Sequence, residues 1–291
     1  MKRRLGEKVF QVFDILIMIF ILITILFPML HILSVSVSDR EAITTLSVGI
    51  IPKGFNMLAY KKIAESNVFN RSLINTIGLT VIGSILSLIV IVTAAYGMSK
   101  NFPGKRIVTY YFVITMYFSG GLIPSYLLVS RYLRLNNTYA AYILPALVNT
   151  FYIIVVRSQI EAVPQSLIEA SLIDGANEYQ VLFNIVLPAI TPTIAAVGMF
   201  ISLGKWNMWF PVMLYANKKE LWTLQYFLRA TVFDKFLAST ADITQAAEVD
   251  LVPPQNYQSA AIILVALPIV CIYPFIQKYF VKGILVGSVK G

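Results

Sequence analysis

The sequence predicts an all-α membrane protein with six transmembrane helices, and three observations support this prediction. Hydrophobic residues make up 58% of the chain and charged residues only 13%, about half the charged share of an average soluble domain. The apolar residues form six runs of about 20 residues, the helix length that crosses the core of a bilayer. A membrane β-barrel would instead show alternating strands of about 10 residues.

The six predicted spans cover residues 13–34, 72–96, 107–130, 139–156, 186–210 and 259–280. The basic stretch MKRRLGEK before the first span is also typical of a secretory signal. That span is longer than the roughly 7–15 apolar residues of a signal, and no A-x-A site follows it. We therefore expect an uncleaved first helix. In the third span, Gly120, Gly121 and Pro124 predict a break, either where a pathway opens or as a plain kink.

The orientation follows from the placement of Lys and Arg. Apart from Lys205, which lies in the fifth span, they divide evenly between the two sides of the membrane, eleven on each. Density near the helix ends breaks the tie: four lie in the first eight residues and three in the loop at residues 100–106. Short, densely basic loops stay in the cytoplasm. We predict a protein of the bacterial inner (plasma) membrane with both termini in the cytoplasm.

Composition also argues against several other functions. The net charge of +9 comes without a basic helix, zinc module or aromatic RNA-binding motif, so we expect no nucleic-acid partner. Cys271 is the only cysteine, which leaves no disulfide framework and no CxxC pair. His31 is the only histidine and has no carboxylate within seven residues on either side. An intramembrane enzyme needs reacting groups within hydrogen-bond reach, and we predict neither a catalytic nor a metal site.

A polar insert, EASLIDGANEYQVLFNIVLP, lies between the fourth and fifth spans and predicts two short helices around a glycine turn. Ser166 with Glu169 fits one capping box and Asn177 with Gln180 a second, while Gly175 allows a helix to end in a sharp turn. Capping alone explains these residues without a partner. The first helix also carries the apolar residues Leu167, Ile168, Leu172 and Ile173. An apolar stripe on a short cytoplasmic helix predicts a surface that packs against another molecule.

This insert closely resembles the EAA loop of binding-protein-dependent ABC importers, whose pattern is E-A-A, then D-G-A, then an apolar run ending in L-P and a second proline. The matching residues are Glu169, Ala170, Asp174, Gly175, Ala176, Phe183, Ile185, Leu187, Pro188 and Pro192. Ser171 replaces the second alanine with another small residue.

Three further stretches carry the resemblance over most of the chain. FNRSLINTIGLTV, at residues 69–81, resembles the N-S-L-x-N-T opening of the family's second span, with Arg71 inserted. The tail QKYFVKGILVGSVKG is similar to that of the MalG-like sugar permeases. MYFSGGLIPSYLLV and the overall size resemble the LplC/YtcP branch of that family, which includes the smaller permease subunit of an alginate importer.

The resemblance implies a type I ABC importer permease fold, with residues 1–291 forming a single transmembrane domain. It implies that the cytoplasmic loop 160–185 couples to an ATPase subunit through Glu169, Ala170, Ser171, Asp174, Gly175, Ala176 and Pro188. The implied partners are a second, homologous permease chain, two ATPase subunits, an extracytoplasmic solute-binding protein and membrane lipid. The implied substrate is an oligosaccharide, including acidic polysaccharide fragments such as alginate.

The chain has no phosphate-binding loop, since its two G-K pairs, Gly104-Lys105 and Gly204-Lys205, are followed by Arg106 and Trp206. We therefore expect a non-catalytic subunit without a cofactor, with ATP and Mg²⁺ bound by the partner ATPase subunits.

An ion-coupled secondary transporter is the alternative function. It would show ionisable residues at mid-membrane or an inverted repeat. No convincing repeat is present, and Lys205 is nearly alone inside the spans. Since Lys205 lies towards the outer end of the fifth span, we expect its ammonium to reach the membrane surface.

The substrate path is predicted from aromatic and amide residues, which suit sugars. The cluster LGKWNMWFPVMLY supplies Trp206, Asn207 and Trp209, and we add Tyr126 and Asn149. An interfacial aromatic belt explains the tryptophans equally well. The predicted outer loop, residues 211–257, includes LVPPQNYQ and corresponds in the family to the segment that faces the solute-binding protein. It is long enough to be functional.

Overall fold

The computed structural model of the chain describes residues 5–240 and 252–288, and the regular structure in these ranges is helical. The α-helices are α1 (Leu5–Val37), α2 (Arg40–Thr44), α3 (Leu58–Ala64), α4 (Asn67–Ser99), α5 (Lys105–Tyr117), α6 (Leu122–Leu127), α7 (Ala140–Ile143), α8 (Thr150–Glu161), α9 (Gln165–Ile173), α10 (Glu178–Gln180), α11 (Leu187–Ala189), α12 (Thr191–Trp206), α13 (Phe210–Tyr215), α14 (Leu224–Thr240) and α15 (Pro254–Ser288). Wider π-turns follow α6 at Leu128–Tyr132 and α10 at Val181–Val186.

Three helical stretches of the described residues are long and apolar enough to cross a membrane: Phe10–Val37, Asn67–Ser99 and Pro254–Ile272. Three bent pairs raise the number to as many as six if each pair forms one span. They are Lys105–Tyr117 with Leu122–Tyr132, bent by 107°, Ala140–Ala146 with Thr150–Glu161, bent by 49°, and Glu178–Ala189 with Thr191–Trp206, bent by 84°. If each pair forms one span, the predicted third, fourth and fifth spans are broken helices.

The break in the third span lies where Gly120 and Gly121 predict it. Gly121 has a φ of +86°, a conformation that glycine adopts without strain. The segment 211–257, predicted as an outer loop, contains α13 except for its first residue, the whole of α14 and the first four residues of α15. Residues 241–251, including the start of LVPPQNYQ, lie outside the described residues.

The chain divides into two compact units, the first comprising the residues up to Asn67 and Leu228–Pro268. In this unit the amide of Asn256 donates to the carbonyls of Val35 at 2.8 Å and Ser36 at 3.1 Å. The Ser36 hydroxyl lies 2.8 Å from that of Tyr60. These bonds join the end of α1 to α3 and to the start of α15.

The second unit comprises Val68–Phe227 and the residues from Ile269 onward. Its larger apolar core combines residues of α4, α8, α9, α12 and the π-turn after α10. The fully buried members of this core include Ile91, Ile153, Val156, Val181 and Val186. The predicted coupling loop 160–185, hereafter the coupling segment, therefore shares one core with α4 and α12.

Polar side chains near the start of α4 bind the backbone of the segment that follows α13. The Asn75 amide donates to the carbonyls of Glu220 at 2.7 Å and Trp222 at 2.9 Å, and its oxygen accepts from the Tyr139 hydroxyl at 2.8 Å. The Thr76 hydroxyl accepts from the backbone N–H of Leu224 at 2.8 Å. The N-T pair of the N-S-L-x-N-T motif thus holds the segment that follows α13.

Candidate functional site

The polar insert forms α9 and α10 with a tight turn between them. α9 begins at Gln165 with Pro164 in extended conformation before it, and no side chain caps this end. The predicted capping box at Ser166 and Glu169 is therefore wrong. The extended Pro164 occupies the cap position, so Ser166 already has helical backbone and its hydroxyl cannot act as an N-cap.

The turn after α9 is a Schellman motif. The N–H of Gly175 donates to the carbonyl of Leu172 at 3.1 Å, and the N–H of Ala176 donates to the carbonyl of Ser171 at 3.0 Å. Gly175 has a φ of +84°, the left-handed conformation that this motif requires. This turn satisfies two carbonyls at the end of α9 and fixes the direction in which the chain enters α10.

The second predicted capping box is present and starts α10. The Asn177 side chain accepts from the N–H of Gln180 at 2.9 Å, and the Gln180 side chain accepts from the N–H of Asn177 at 2.8 Å. The chain then passes through the π-turn Val181–Val186 to α11, which contains Pro188. Both ends of the connection are thus held by local hydrogen bonds.

The apolar residues of α9 divide between two sides. Ile168 is buried and belongs to the core shared with α4, α8 and α12, so its predicted place on the exposed stripe is wrong. Leu167, Leu172 and Ile173 are exposed, Ile173 to 85%. Tyr179 and Phe183 add exposed aromatic rings on the following segment. Ile168 thus attaches one side of α9 to the core, while Leu167, Leu172 and Ile173 leave apolar surface exposed on the helix.

The predicted coupling residues lie along this segment. Ser171, Asp174, Gly175 and Ala176 line a shallow depression of about 300 Å³ together with Gln180, Asn184 and Ile185. Glu169 and Ala170 are exposed on α9 beside it, and Pro188 is exposed on α11. The Ser171 hydroxyl donates to the carbonyl of Ile168 at 2.7 Å, so this small polar residue is satisfied within its own helix.

An ion pair joins the coupling segment to the end of α4. The Lys100 ammonium lies 2.7 Å from the Glu178 carboxylate and 4.6 Å from the centre of the Tyr96 ring, and the Tyr96 hydroxyl donates to the same carboxylate. Burial lowers the pKa of Lys100, but the hydrogen bonds with Glu178 and Tyr96 outweigh it, so the pKa lies above its usual value. Sequence inspection missed this group because its members are 78 and 82 residues apart.

A second charged group lies at the facing ends of α5 and α8. Arg157 donates to the Glu161 carboxylate at 3.0 Å and to the Thr109 hydroxyl at 2.9 Å. Lys105 lies 3.3 Å from the same carboxylate and donates to the carbonyl of Ser99 at 3.0 Å. Lys105, in the basic loop at residues 100–106, is thus held between the end of α4 and the end of α8.

The predicted substrate-path residues occupy different environments. Trp206 is buried, and within the described residues its indole N–H has no hydrogen-bond partner. Asn207 is exposed and accepts from the side chain of Gln225 at 3.0 Å. Trp209 contacts Phe210 edge to face, and Tyr126 stacks on Tyr215 at 5.9 Å between ring centres. Asn149 caps α8 by accepting from the N–H of Tyr152 at 3.2 Å, so local structure explains it.

Lys205 was expected to extend its ammonium to the membrane surface, and the structure contradicts this prediction. The side chain is only 4% exposed, and it packs against Gly83 of α4 instead of reaching the membrane surface. The reason is local: Gly83 has no side chain, and the notch that it leaves in α4 receives the lysine stem. The sequence held a signal for this packing, since Ser72, Thr76, Thr80 and Ser84 recur at every fourth position of α4, and all but Thr80 are buried residues.

Comparison with known proteins agrees with this architecture. Residues 87–286 match the family model described as a binding-protein-dependent transport system inner membrane component. Protein LplC of Bacillus subtilis (strain 168) is 38% identical over 98% of this chain and 97% of its own length. The polygalacturonan/rhamnogalacturonan transport system permease protein YtcP of the same strain is 35% identical over 100% of both chains.

A solved structure supports the same assignment. It is the crystal structure of a bacterial ABC transporter involved in the import of the acidic polysaccharide alginate, in which one chain is 28% identical, with a TM-score of 0.87 over 96% of this chain and 99% of that chain. The two chains share the type I ABC permease fold. With two thirds of its residues inside the family model, this chain is an inner-membrane permease subunit that belongs to the family of binding-protein-dependent transport system inner membrane components.

Proposed function

We propose that this subunit is one half of a heterodimeric permease that imports an oligosaccharide at the expense of ATP. A second, homologous permease chain forms the other half of the path. Two ATPase subunits bind ATP and Mg²⁺ on the cytoplasmic side, and an extracytoplasmic solute-binding protein delivers the substrate. Both termini lie in the cytoplasm of the bacterial cell, and the subunit itself carries out no chemistry.

The observation that carries this proposal is the construction of α9. Exposed Leu167, Leu172 and Ile173 offer apolar surface, while the buried Ile168 ties the helix to the membrane core. A solvent-exposed helix of nine residues gains little stability by itself. Its exposed face is suited to a cleft on an ATPase subunit, and its buried side passes any displacement to α4 and α12.

The mechanism follows from the rigid ends of this segment. When ATP closes the ATPase dimer, α9 moves with the cleft that holds it. The Schellman turn, the Asn177–Gln180 box and the Glu178–Lys100 pair keep α9, α10 and the end of α4 together. The membrane helices then move as rigid bodies, and the path changes from inward-facing to outward-facing.

The substrate class that we propose is an acidic oligosaccharide released from a polysaccharide. The similarity to YtcP, a polygalacturonan/rhamnogalacturonan permease, and to the transporter of the acidic polysaccharide alginate supports this choice. Aromatic rings and amides near the end of α12, such as Trp209, Asn207 and Gln225, are suited to sugar rings and hydroxyls. The coupling residues Glu169, Asp174 and Gly175 serve import whatever the substrate.

The first test is co-purification of the subunit with its co-expressed partner subunits. We expect an ATPase subunit to elute with the wild type and to be lost from the double variant Glu169→Lys and Asp174→Lys, because both carboxylates are exposed on the docking face. The matched control is Glu41→Lys with Glu65→Lys, two exposed acids on the predicted outer side.

Retention of the ATPase by the Glu169/Asp174 variant would show that docking occurs elsewhere. A chain that purifies alone and carries solute in response to an ion gradient in vesicles would replace this proposal with a secondary transporter.

A further inference from the structure

One cation, Lys205, is buried among the described residues of the second unit. Lys205 is 4% exposed, and its Nζ has no hydrogen-bond partner among the described residues. Its stem lies against Gly83, where an added Cβ would be 3.2 Å from Cε and 3.3 Å from Cδ of the lysine. The glycine therefore makes room for this side chain.

The position of Gly83 places the ammonium deep in the membrane. Gly83 is sixteen residues from Asn67 and sixteen from Ser99, the two ends of α4. At a rise of about 1.5 Å per residue, it is about 24 Å from either end. A helix of this length spans the whole bilayer, so Lys205 reaches close to the midplane.

The surroundings of Lys205 form a polar seam between α4 and α12. The Ser202 hydroxyl lies 3.0 Å from that of Ser84, and a Cβ at Gly198 would be 3.1 Å from Leu88. One turn from Gly83, the buried hydroxyl of Thr80 also has no partner among the described residues. Small and hydroxyl residues explain close packing of two membrane helices, but packing does not require a lysine.

A buried ammonium without a counter-charge is unfavourable, and inside membranes such residues pair or mark a path. This chain offers no carboxylate at the same depth. In the six predicted spans the only acidic residue is Asp14, the second residue of the first span. A counter-charge for this ammonium would therefore come from outside this chain.

We propose that Lys205 binds a carboxylate of the transported oligosaccharide at mid-membrane, in a conformation in which its side chain leaves the notch at Gly83 and points into the path. This inference rests on the proposed function. In the conformation described here, the seam is closed and the ammonium is covered. When the side chain leaves the seam during the transport cycle, the ammonium provides the charge compensation that an acidic sugar needs away from water.

The test uses the complete transporter in proteoliposomes and a radiolabelled uronic-acid trisaccharide. We expect Lys205→Met to lower uptake by about tenfold or more, as loss of a buried charge partner predicts, and Lys205→Arg to retain most of it. Ser84→Ala is the matched control, because it removes a hydrogen bond of the same seam without changing its charge. Equal losses in Ser84→Ala and Lys205→Met would overturn the proposal in favour of packing.

Chemical rescue distinguishes the effect of the charge at position 205 from the effect of the size of the side chain. Cys271 is the only cysteine of the chain, so Lys205→Cys can be placed in a Cys271→Ser background with cysteine-free partners. Modification during turnover with 2-aminoethyl methanethiosulfonate restores an ammonium, whereas methyl methanethiosulfonate adds a neutral group. We expect uptake to recover with the first reagent and not with the second, and the trisaccharide to slow the modification. Recovery with both reagents would overturn the proposal.

The same variants identify the source of the carboxylate. If an acid of the second permease chain pairs with Lys205, the Lys205→Met heterodimer will come apart during purification, and this outcome contradicts the proposal. An intact heterodimer with lost uptake supports it. Wild-type uptake that requires ATP measures the proposed function separately, so unchanged uptake in Lys205→Met overturns only the role of Lys205.

Discussion

Gly175 shows how one residue sets the geometry of the coupling segment. Its φ of +84° belongs to the left-handed region, and an added Cβ would meet nothing within 4 Å. The restriction at this position therefore comes from the backbone and not from crowding. Alanine would cost about 1–2 kcal/mol in this conformation, while proline cannot adopt it and lacks the N–H that donates to Leu172.

We expect Gly175→Ala to retain most uptake and Gly175→Pro to insert into the membrane but to hydrolyse ATP without uptake. Proline cannot adopt the left-handed turn, so the angle between α9 and α10 changes. Closure of the ATPase then no longer moves the membrane helices. The measurement is the number of ATP molecules hydrolysed per solute imported in proteoliposomes. Gly104→Pro is a matched control, since Gly104 also has a φ of +84° with nothing within 4 Å. A wild-type ratio in Gly175→Pro would contradict the coupling role.

At the scale of helices, the Glu178–Lys100 pair connects α10 to the end of α4. The side chains are 58% and 35% exposed, so the pair itself adds only about 0–1 kcal/mol to stability. The pair instead fixes how α10 lies relative to α4, because Glu178 begins α10 and Lys100 directly follows α4. We expect Glu178→Lys and Lys100→Glu each to raise the ATP consumed per solute severalfold and the double exchange to restore it, because the exchanged pair can form the same contact.

The measurement for this pair is again the ratio of ATP hydrolysis to uptake. Lys105→Glu is the control, since it breaks a comparable contact with Glu161 that does not involve α10. If the double exchange behaves like the worse of the two single variants, Glu178 and Lys100 do not act as a pair.

The comparison between sequence and structure is also clearest for helices. Long apolar runs predict α1 and α4, because such a run has no better partner than lipid or a membrane core. Composition does not predict the 84° bend before α12, since the residues on both sides of it are equally apolar. The Asn177–Gln180 box was predictable from local spacing, but the box at Ser166 was not present because Pro164 starts the helix earlier.

Contacts between residues that are far apart in the chain could not be predicted from the sequence, for a different reason. The depth of Lys205 depends on Gly83, and the role of Glu178 depends on Lys100. In each pair the partners belong to helices that the chain connects by a long path. A single sequence gives the polarity of each residue but not the neighbour that the fold brings to it.

At the scale of the whole molecule, the distribution of charge determines how the subunit lies in the membrane. The loop at residues 100–106 has three basic residues, two of which form ion pairs with Glu178 and Glu161. Moving this loop across the bilayer would carry its charges through the apolar core, which is costly. Because short, densely basic loops stay in the cytoplasm, we predict that this loop and the coupling segment lie on the cytoplasmic side and that the segment after α13 faces outward.

Two exposed asparagines test this orientation with one reagent. In the Cys271→Ser background we expect a membrane-impermeant maleimide to label Asn217→Cys on intact spheroplasts, because Asn217 follows α13 on the predicted outer side. Asn101→Cys, in the loop after α4, should react only after the membrane is permeabilised. Since both positions are exposed in the structure, burial cannot explain a difference between them. Labelling of Asn101→Cys on intact cells would invert the orientation and would place α9 on the side that has no ATP.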